Sequence, residues 1–458
     1  MTQKRKADDA ATTTEALAHA ARGAALKLAT ATGDERTAAL RRIHAALKQN
    51  ADRIKAENKK DLDNAAKNNL SKQLIRRLDL SGADKFDAML QGVLDIAEME
   101  DPVGKTSLAT RLDTGLDLYR VSCPIGVVLI IFEARPEVVV NIAALTIKSG
   151  NAVILKGGKE AQYSNAILHQ IISEALSEIT QSSVTKDAVL LVESRTAIDT
   201  LLQMDRYIDL VIPRGSNALV RHVQGNTRIP VLGHADGICT TYLDQNLDQE
   251  SALRILIDAK TTAPSACNAT ETLLIHSSHL LTPFFHTLLA RLTLANISLR
   301  LDPPLFTYLT PLEKQNALIT EATEEDFSTE FLDTILAVRA VPTLSAAIAH
   351  INSHGSHHTD AIITTSSENA DAFLRSVDSA DVFWNASTRF ADGFRFGFGA
   401  EIGVSTNKTH ARGPVGVEGL LIYKFRLHGN GQCSGDYGVG KKEYKHEKLE
   451  VEENKFQL

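Results

Sequence analysis

Only four cysteines occur in 458 residues, at Cys123, Cys239, Cys267 and Cys433, and no two stand at the short spacing that makes a zinc site or a redox pair. A reducing compartment is the simplest fit. Long apolar runs are also missing. The strongest, Val127-Val128-Leu129-Ile130-Ile131-Phe132, is far too short to span a bilayer, and nothing resembles the apolar core of a signal peptide. Asp8, Asp9 and Glu15 disfavour an organellar transit peptide, so the expected location is the cytoplasm. No excess of positive charge is present: the formal net charge is −7, with Lys and Arg interleaved among Asp and Glu, which argues against nucleic-acid binding. No short internal repeat is visible. What is there is ordinary for a folded protein of two or three domains, 43% hydrophobic and 23% charged.

Apolar positions recurring at three and four, as at Leu40, Ile43, Leu47 and Ile54, predict helices through the first hundred or so residues. The character changes near Asp101-Pro102-Val103-Gly104, and residues 112–121, centred on Thr114-Gly115, predict two short strands about a turn. From Ile125 apolar strands alternate with helices: strands at 152–155, 188–192 and 208–212, helices from Ala161 and from Ala218. After Ile229 a second series follows, with helices at 252–259 and 344–351 and strands at 272–275 and 335–341. This alternation predicts two successive α/β domains with parallel sheets covered on both faces. Residues 420–425 alternate as a late strand, expected to pair with the early hairpin or with a neighbouring subunit. Beyond Ser434 the tail is dominated by Lys and Glu, and a mobile or weakly packed terminus is expected.

Thr261-Thr262-Ala263-Pro264-Ser265-Ala266-Cys267-Asn268-Ala269 is a small-residue turn between a predicted helix at 251–260 and a predicted strand at 271–276. A thiolate on so short a connection can attack a carbonyl and hold it covalently, although a cysteine taken alone is more often a small buried hydrophobe. Strand 151–156 runs into Gly157-Gly158-Lys159-Glu160 ahead of a helix, where open α/β sheets bind ligands. Gly157 and Gly158 would admit a ligand to the backbone. Lys156 and Lys159 would face phosphate, including the 2′-phosphate of NADP, against the alternative of a solvated turn. A second strand-turn-helix junction sets Arg214, Gly215 and Ser216 at a helix start, suited either to a pyrophosphate or to simple capping. The glycine run 397–403 is one residue too long for a dinucleotide fingerprint and lies outside a strand-loop-helix unit, so it is read as a tight crossing close to the substrate. His350, His354, His357 and His358 cluster with no carboxylate or cysteine at ligand spacing; they are read as surface or loop histidines, and no metal is assigned.

Taken in order, these segments resemble the aldehyde dehydrogenase superfamily, and within it the family of gamma-glutamyl phosphate reductases, from about Ala16 to Gln432. The resemblance is carried by Pro124-Ile125-Gly126-Val127-Val128, Phe132-Glu133-Ala134-Arg135-Pro136, residues 148–161 and Ile212-Pro213-Arg214-Gly215. It continues through His234-Ala235-Asp236-Gly237-Ile238-Cys239, Cys267-Asn268-Ala269-Thr270-Glu271, Asn385-Ala386-Ser387-Thr388-Arg389-Phe390, and the block 397–416 with Glu401-Ile402-Gly403 and His410-Ala411-Arg412-Gly413-Pro414. It implies two parallel-sheet α/β domains plus a small β oligomerisation element. An NADP-binding domain with N-terminal helices would comprise 1–106 and 124–235, and a catalytic domain 236–416. An oligomerisation hairpin and strand would comprise 107–123 and 417–432, ahead of a charged tail at 433–458.

The chemistry so implied is NADPH-dependent reduction of L-glutamyl 5-phosphate to L-glutamate 5-semialdehyde, with phosphate released, through a thioester on Cys267 on the route to proline. Lys156 matches the superfamily lysine at the adenosine ribose, and Lys159 stands near a glutamate of NAD-preferring relatives, which implies NADP. Arg135, His234, Asn268, Arg389 and Arg412 are the implied substrate residues; Arg389 and Arg412 suit a carboxylate or phosphate because a guanidinium makes two parallel hydrogen bonds to either, with a structural ion pair as the alternative. Superfamily members that release a free acid carry a water-activating carboxylate a few tens of residues before the nucleophile. Here that stretch reads Gly233-His234-Ala235-Asp236-Gly237, which fits an acyl group exchanged with phosphate, while Asp236 leaves hydrolysis open. A homodimer through the hairpin and late strand is implied. With no recognisable kinase domain, a separate glutamate 5-kinase would supply the acyl phosphate, direct handover being left open.

Overall fold

The structure, a computed structural model, describes residues 2–82, 84–192, 194 and 196–457. It divides into two units: Met1–Leu232 with Phe398–Ile402 and Val415–Leu458, and Gly233–Gly397 with Gly403–Pro414. The division falls after Leu232 and not after residue 235, so His234 belongs to the unit that carries Cys267.

In the first unit the apolar run Val127–Phe132 is a strand buried along its whole length. Its parallel sheet is ordered Val189–Leu191, Ala152–Gly157, Val127–Phe132, Leu210–Arg214. Helical crossovers cover both faces of such a sheet, which is why this run is continuously apolar and does not alternate. Val127, Leu129 and Ile131 pack with Ala18, Ala21, Ala24 and Ala25 of the helix Thr2–Leu28. Polar capping sets the start of the helix Gly33–Gln49, where Thr32 and Glu35 form a capping box.

A second sheet in this unit begins as a hairpin, Thr106–Asp113 against Leu116–Pro124, with Gly115 in the left-handed region at φ 73° at its turn. Strand Leu421–His428 returns to pair with Leu116–Pro124, and its side chains Ile422, Tyr423, Phe425 and Leu427 are exposed. The charged tail departs from expectation. Glu447–Lys448 adds a strand to the other edge of the hairpin, and the Thr106 N–H donates to the Glu453 carbonyl at 2.6 Å. Phe456 meets Tyr119 edge-on with centroids 5.1 Å apart, and with Leu449 it packs on Ala109, Tyr119 and Val121. An open strand edge supplies backbone partners to any extended segment, and two apolar residues suffice to cover the hairpin, neither of which a count of charges reveals.

The second unit holds a seven-stranded parallel sheet ordered Ile319–Glu321, Ser298–Leu301, Ile335–Val341, Thr270–His276, Cys239–Leu243, Thr359–Ile363, Asp381–Trp384. Because the strands are parallel, their N-terminal ends share one edge. Cys239 and Asp381 are the first residues of their strands, His358 immediately precedes Thr359, and Cys267 lies just ahead of Thr270. Among the described residues no helix is long and apolar enough to cross a membrane.

Candidate active site

Cys267 lies between the helix Gln249–Thr261 and the strand Thr270–His276. Two turns wrap it, Ala266 N–H to the Ala263 carbonyl at 3.0 Å and Ala269 N–H to the Ala266 carbonyl at 2.9 Å. Gly237 runs against the cysteine backbone so closely that a Cβ there would stand 2.1 Å from the Cys267 carbonyl oxygen, so no side chain fits at that position. The Gly237 N–H donates to Glu330 Oε1 at 3.0 Å, and burial pushes the Glu330 carboxyl up. Below the loop, Cys239 Sγ donates to the Cys267 carbonyl at 3.2 Å. Burial and the nearby Asp360 push the Cys239 thiol well up, which keeps it the protonated donor.

Two imidazoles flank Cys267. His234 Nδ1 lies 2.7 Å from the Val404 carbonyl; a carbonyl only accepts, so Nδ1 carries the hydrogen and Nε2 a lone pair. His358 Nδ1 lies 2.8 Å from Thr359 Oγ1, which in turn donates to Asp381 Oδ2 at 3.4 Å. That chain of donors likewise leaves the lone pair of His358 on Nε2. The rings meet edge to face with centroids 4.7 Å apart, and Cys267 Sγ and one ring nitrogen of each histidine all lie within 4.8 Å of one another. Burial alone would push the Cys267 thiol up, but the charge of His358 and the hydrogen bond of His234 outweigh it and hold the thiol well below its ordinary range.

His358 is fully buried, which corrects its reading as a surface histidine. Within that cluster His350 is buried as well, its imidazole pushed down to about 4 by burial, while His354 and His357 are partly exposed. The one sequence signal for His358 is its place directly before the apolar strand Thr359–Ile363.

Arg389, half-buried, has its guanidinium pushed down by burial and by Arg395, an effect the Cys267 charge opposes. Its Nε has no hydrogen-bond partner among the described residues. A cation with donor capacity is thus held near the thiolate. A cleft of about 500 Å³ opens beside this turn, lined by Arg254, Asp258, Thr364, Asn385, Ser387 and Phe390.

For Arg412 the structure shows the ion-pair alternative: its Nη1 donates to Asp378 Oδ1 at 3.0 Å and its Nη2 to the Asp378 carbonyl at 2.9 Å, while its buried Nε has no hydrogen-bond partner among the described residues. Asn268 is buried; its Oδ1 has no hydrogen-bond partner among the described residues, and its Nδ2 donates to the Ala391 carbonyl at 2.8 Å. With the 3.1 Å contact between the hydroxyls of Thr270 and Thr388, this pins the turn Thr388–Phe390 that carries Arg389.

In the first unit Lys156 is buried and its Nζ donates to the Gly157 carbonyl at 2.5 Å, while Lys159 is exposed just past the strand end. Gly158 is closely lined: a Cβ there would meet the Glu160 carboxylate, which accepts from the Ala134 N–H at 2.6 Å. The phosphate seat expected at Arg214, Gly215 and Ser216 is lined by Glu133. The Ser216 N–H donates to Glu133 Oε2 at 3.0 Å, and a Cβ on Gly215 would stand 2.5 Å from the same oxygen. An anion of the chain itself already occupies that helix start and repels a phosphate. Arg135 is exposed in this unit, near Arg77, whose guanidinium is pushed down by burial and by Arg135.

Residues 2–320 match the family model described as the aldehyde dehydrogenase family. A relative from Schizosaccharomyces pombe named probable gamma-glutamyl phosphate reductase is 49% identical over 432 residues, covering 93% of this chain and 95% of the relative. Gamma-glutamyl phosphate reductase of Saccharomyces cerevisiae is 48% identical over 450 residues, covering 95% of this chain and 98% of the relative. The crystal structure of the Thermotoga maritima gamma-glutamyl phosphate reductase superposes with a TM-score of 0.86 at 34% identity, covering 92% of this chain and 99% of that one. An acetylating aldehyde dehydrogenase from Geobacillus thermoglucosidasius, 17% identical with a TM-score of 0.63, shares the fold. The chain is therefore an oxidoreductase that belongs to the aldehyde dehydrogenase family and, within it, groups with the gamma-glutamyl phosphate reductases.

Proposed function

We propose that this chain reduces L-glutamyl 5-phosphate to L-glutamate 5-semialdehyde and inorganic phosphate, with NADPH as donor, through a thioester on Cys267. The observation that carries the reading is Cys267 set beside two imidazoles, each with a ring nitrogen within 4.8 Å of its Sγ and each with Nδ1 engaged elsewhere. The names of the near relatives support the substrate.

The thiol proton passes to an imidazole Nε2, leaving a thiolate stabilised by the resulting imidazolium. Cys267 Sγ then bonds to the acyl carbon, the carbon–oxygen bond to phosphorus breaks, and phosphate departs with the electron pair. The Cys267 N–H is assigned to the developing oxyanion, and Arg389 to a charged end of the substrate. In the second step the thioester carbon accepts hydride, the carbon–sulfur bond breaks, and Cys267 leaves as the thiolate. NADPH supplies that hydride when bound. Lys156, Gly157, Gly158 and Lys159 fit it, as a strand end with glycine backbone and an exposed cation suited to a 2′-phosphate.

The same reading makes the protein a cytoplasmic homodimer joined through the exposed strand Leu421–His428, fed by a separate glutamate 5-kinase. The competing reading, hydrolysis to a free acid, needs a carboxylate base; Asp236 is the residue the sequence offers, and Glu330 is a second, although its Oε1 is engaged by Gly237. Running the reaction backwards separates the two. Glutamate semialdehyde and NADP should yield NADPH only when phosphate is supplied, and turnover without phosphate would refute the proposal.

A further inference from the structure

The cluster at Cys267 has a second chemical capacity, independent of turnover. Its three donors are one sulfur and two imidazole nitrogens, with no carboxylate oxygen among them. That set suits a borderline or soft divalent cation such as zinc and is poorly matched to magnesium or calcium. Ideal tetrahedral coordination, with Zn–S near 2.3 Å and Zn–N near 2.0–2.1 Å, places such donors about 3.4–3.6 Å apart. The three atoms already lie within 4.8 Å of one another, so side-chain rotation closes the gap.

Both rings are held in the manner typical of metal-binding histidines. Nδ1 is engaged in each ring, by the Val404 carbonyl for His234 and by the Thr359–Asp381 pair for His358, which fixes the tautomer and leaves Nε2 as the nitrogen with a lone pair for a metal. A second observation points to a ligand: His358 is 0% exposed, and its Nε2 has no hydrogen-bond partner among the described residues. Cys267 and His234 are partly exposed, which leaves an open side for entry and for a fourth ligand such as water.

We propose that Cys267 Sγ, His234 Nε2 and His358 Nε2 form a binding site for a zinc-class divalent cation, and that occupancy reversibly shuts the enzyme by sequestering its thiolate. The inhibitory half rests on Cys267 being the nucleophile; the binding half does not. Zinc releases the thiol proton on binding, so its affinity falls as pH falls.

The test uses the full chain, with zinc competed against a chromophoric chelator and cobalt(II) as a spectroscopic stand-in. One equivalent should bind, cobalt should give intense tetrahedral d–d bands with a thiolate charge-transfer band, and zinc should slow iodoacetamide alkylation of the Cys267 peptide until EDTA restores it. Cys267→Ser, His234→Asn and His358→Asn should each weaken binding at least tenfold and remove or shift the cobalt spectrum, whereas Cys433→Ser should bind as the parent does. Undiminished binding in Cys267→Ser or His358→Asn, with folding checked by circular dichroism, overturns the site. Absent binding, alkylation unaffected by zinc, or activity that rises with zinc also overturns the proposal. Should Cys267→Ala retain reductase activity, the nucleophile assignment fails on its own, while the cobalt spectrum of the parent still reads the site.

Discussion

Replacing His358 with asparagine tests how the thiolate of Cys267 is made. Asparagine can keep a donor near the position of Nδ1, facing Thr359 Oγ1, and deletes Nε2. At the upper limit of their separation, 4.8 Å, and an effective dielectric constant of about 20, an imidazolium stabilises a thiolate by ~3.5 kcal/mol, equivalent to about 2.5 pH units. Solvent on the open side of Cys267 screens part of this, leaving a shift of roughly 1–2 units. The native pKa is depressed, so the thiolate persists below the ordinary thiol range and is lost only as pH falls through the lowered value. Removing the cation raises that value, and the loss then comes at higher pH. The assay is the rate of iodoacetamide alkylation of the Cys267 peptide, by mass spectrometry, from about pH 5 to about pH 10. The inflection should move up by ~1–2 units, and the rate near neutrality should fall about tenfold. An inflection that stays in place or moves down refutes the assignment of His358 as the cation beside the thiolate.

Arg389→Ala should raise KM for the acyl phosphate about tenfold or more, the loss of a charged hydrogen bond, whereas Arg412→Ala should lower the melting temperature and leave KM intact because its fork is closed on Asp378. Equal effects on KM would undo that distinction. Lys260 and Glu271 form a fully buried pair at 2.5 Å, with burial pushing the Glu271 carboxyl up to about 7. Lys260→Met alone should cost about 3–5 kcal/mol in urea unfolding, and the double variant Lys260→Met/Glu271→Leu should regain most of it. A single variant as stable as the parent would count against the pair. Phe425→Glu on the exposed strand Leu421–His428 should turn a dimer into a monomer in sedimentation velocity; an unchanged mass would place the interface elsewhere.

Much of the layered architecture is legible in order along the chain because strand, turn and helix preferences are local. The all-buried Val127–Phe132 and the small-residue turn at Cys267 identify themselves within a few residues. The tail misled because its two anchoring residues, Leu449 and Phe456, are lost in a charged composition. Arg412 and Asn268 carry side chains that suit a substrate equally well as a scaffold, and their scaffold partners, Asp378 and the Ala391 carbonyl, are not legible in the sequence. Ser216 stands at a helix start as read, but the anion there is Glu133, far away in the chain.

By itself the sequence determined the parallel-sheet class and singled out the turn that carries Cys267, since both rest on patterns of neighbouring residues. Tertiary structure alone decided what surrounds that cysteine. Parallel pairing of Cys239–Leu243 with Thr270–His276 and Thr359–Ile363 brings three strand starts to one edge, setting Cys267 beside His234 and His358 across separations of tens of residues. A histidine's protonated nitrogen and a cysteine's pKa depend on the atoms within a few ångströms, and those neighbours are chosen by strand order.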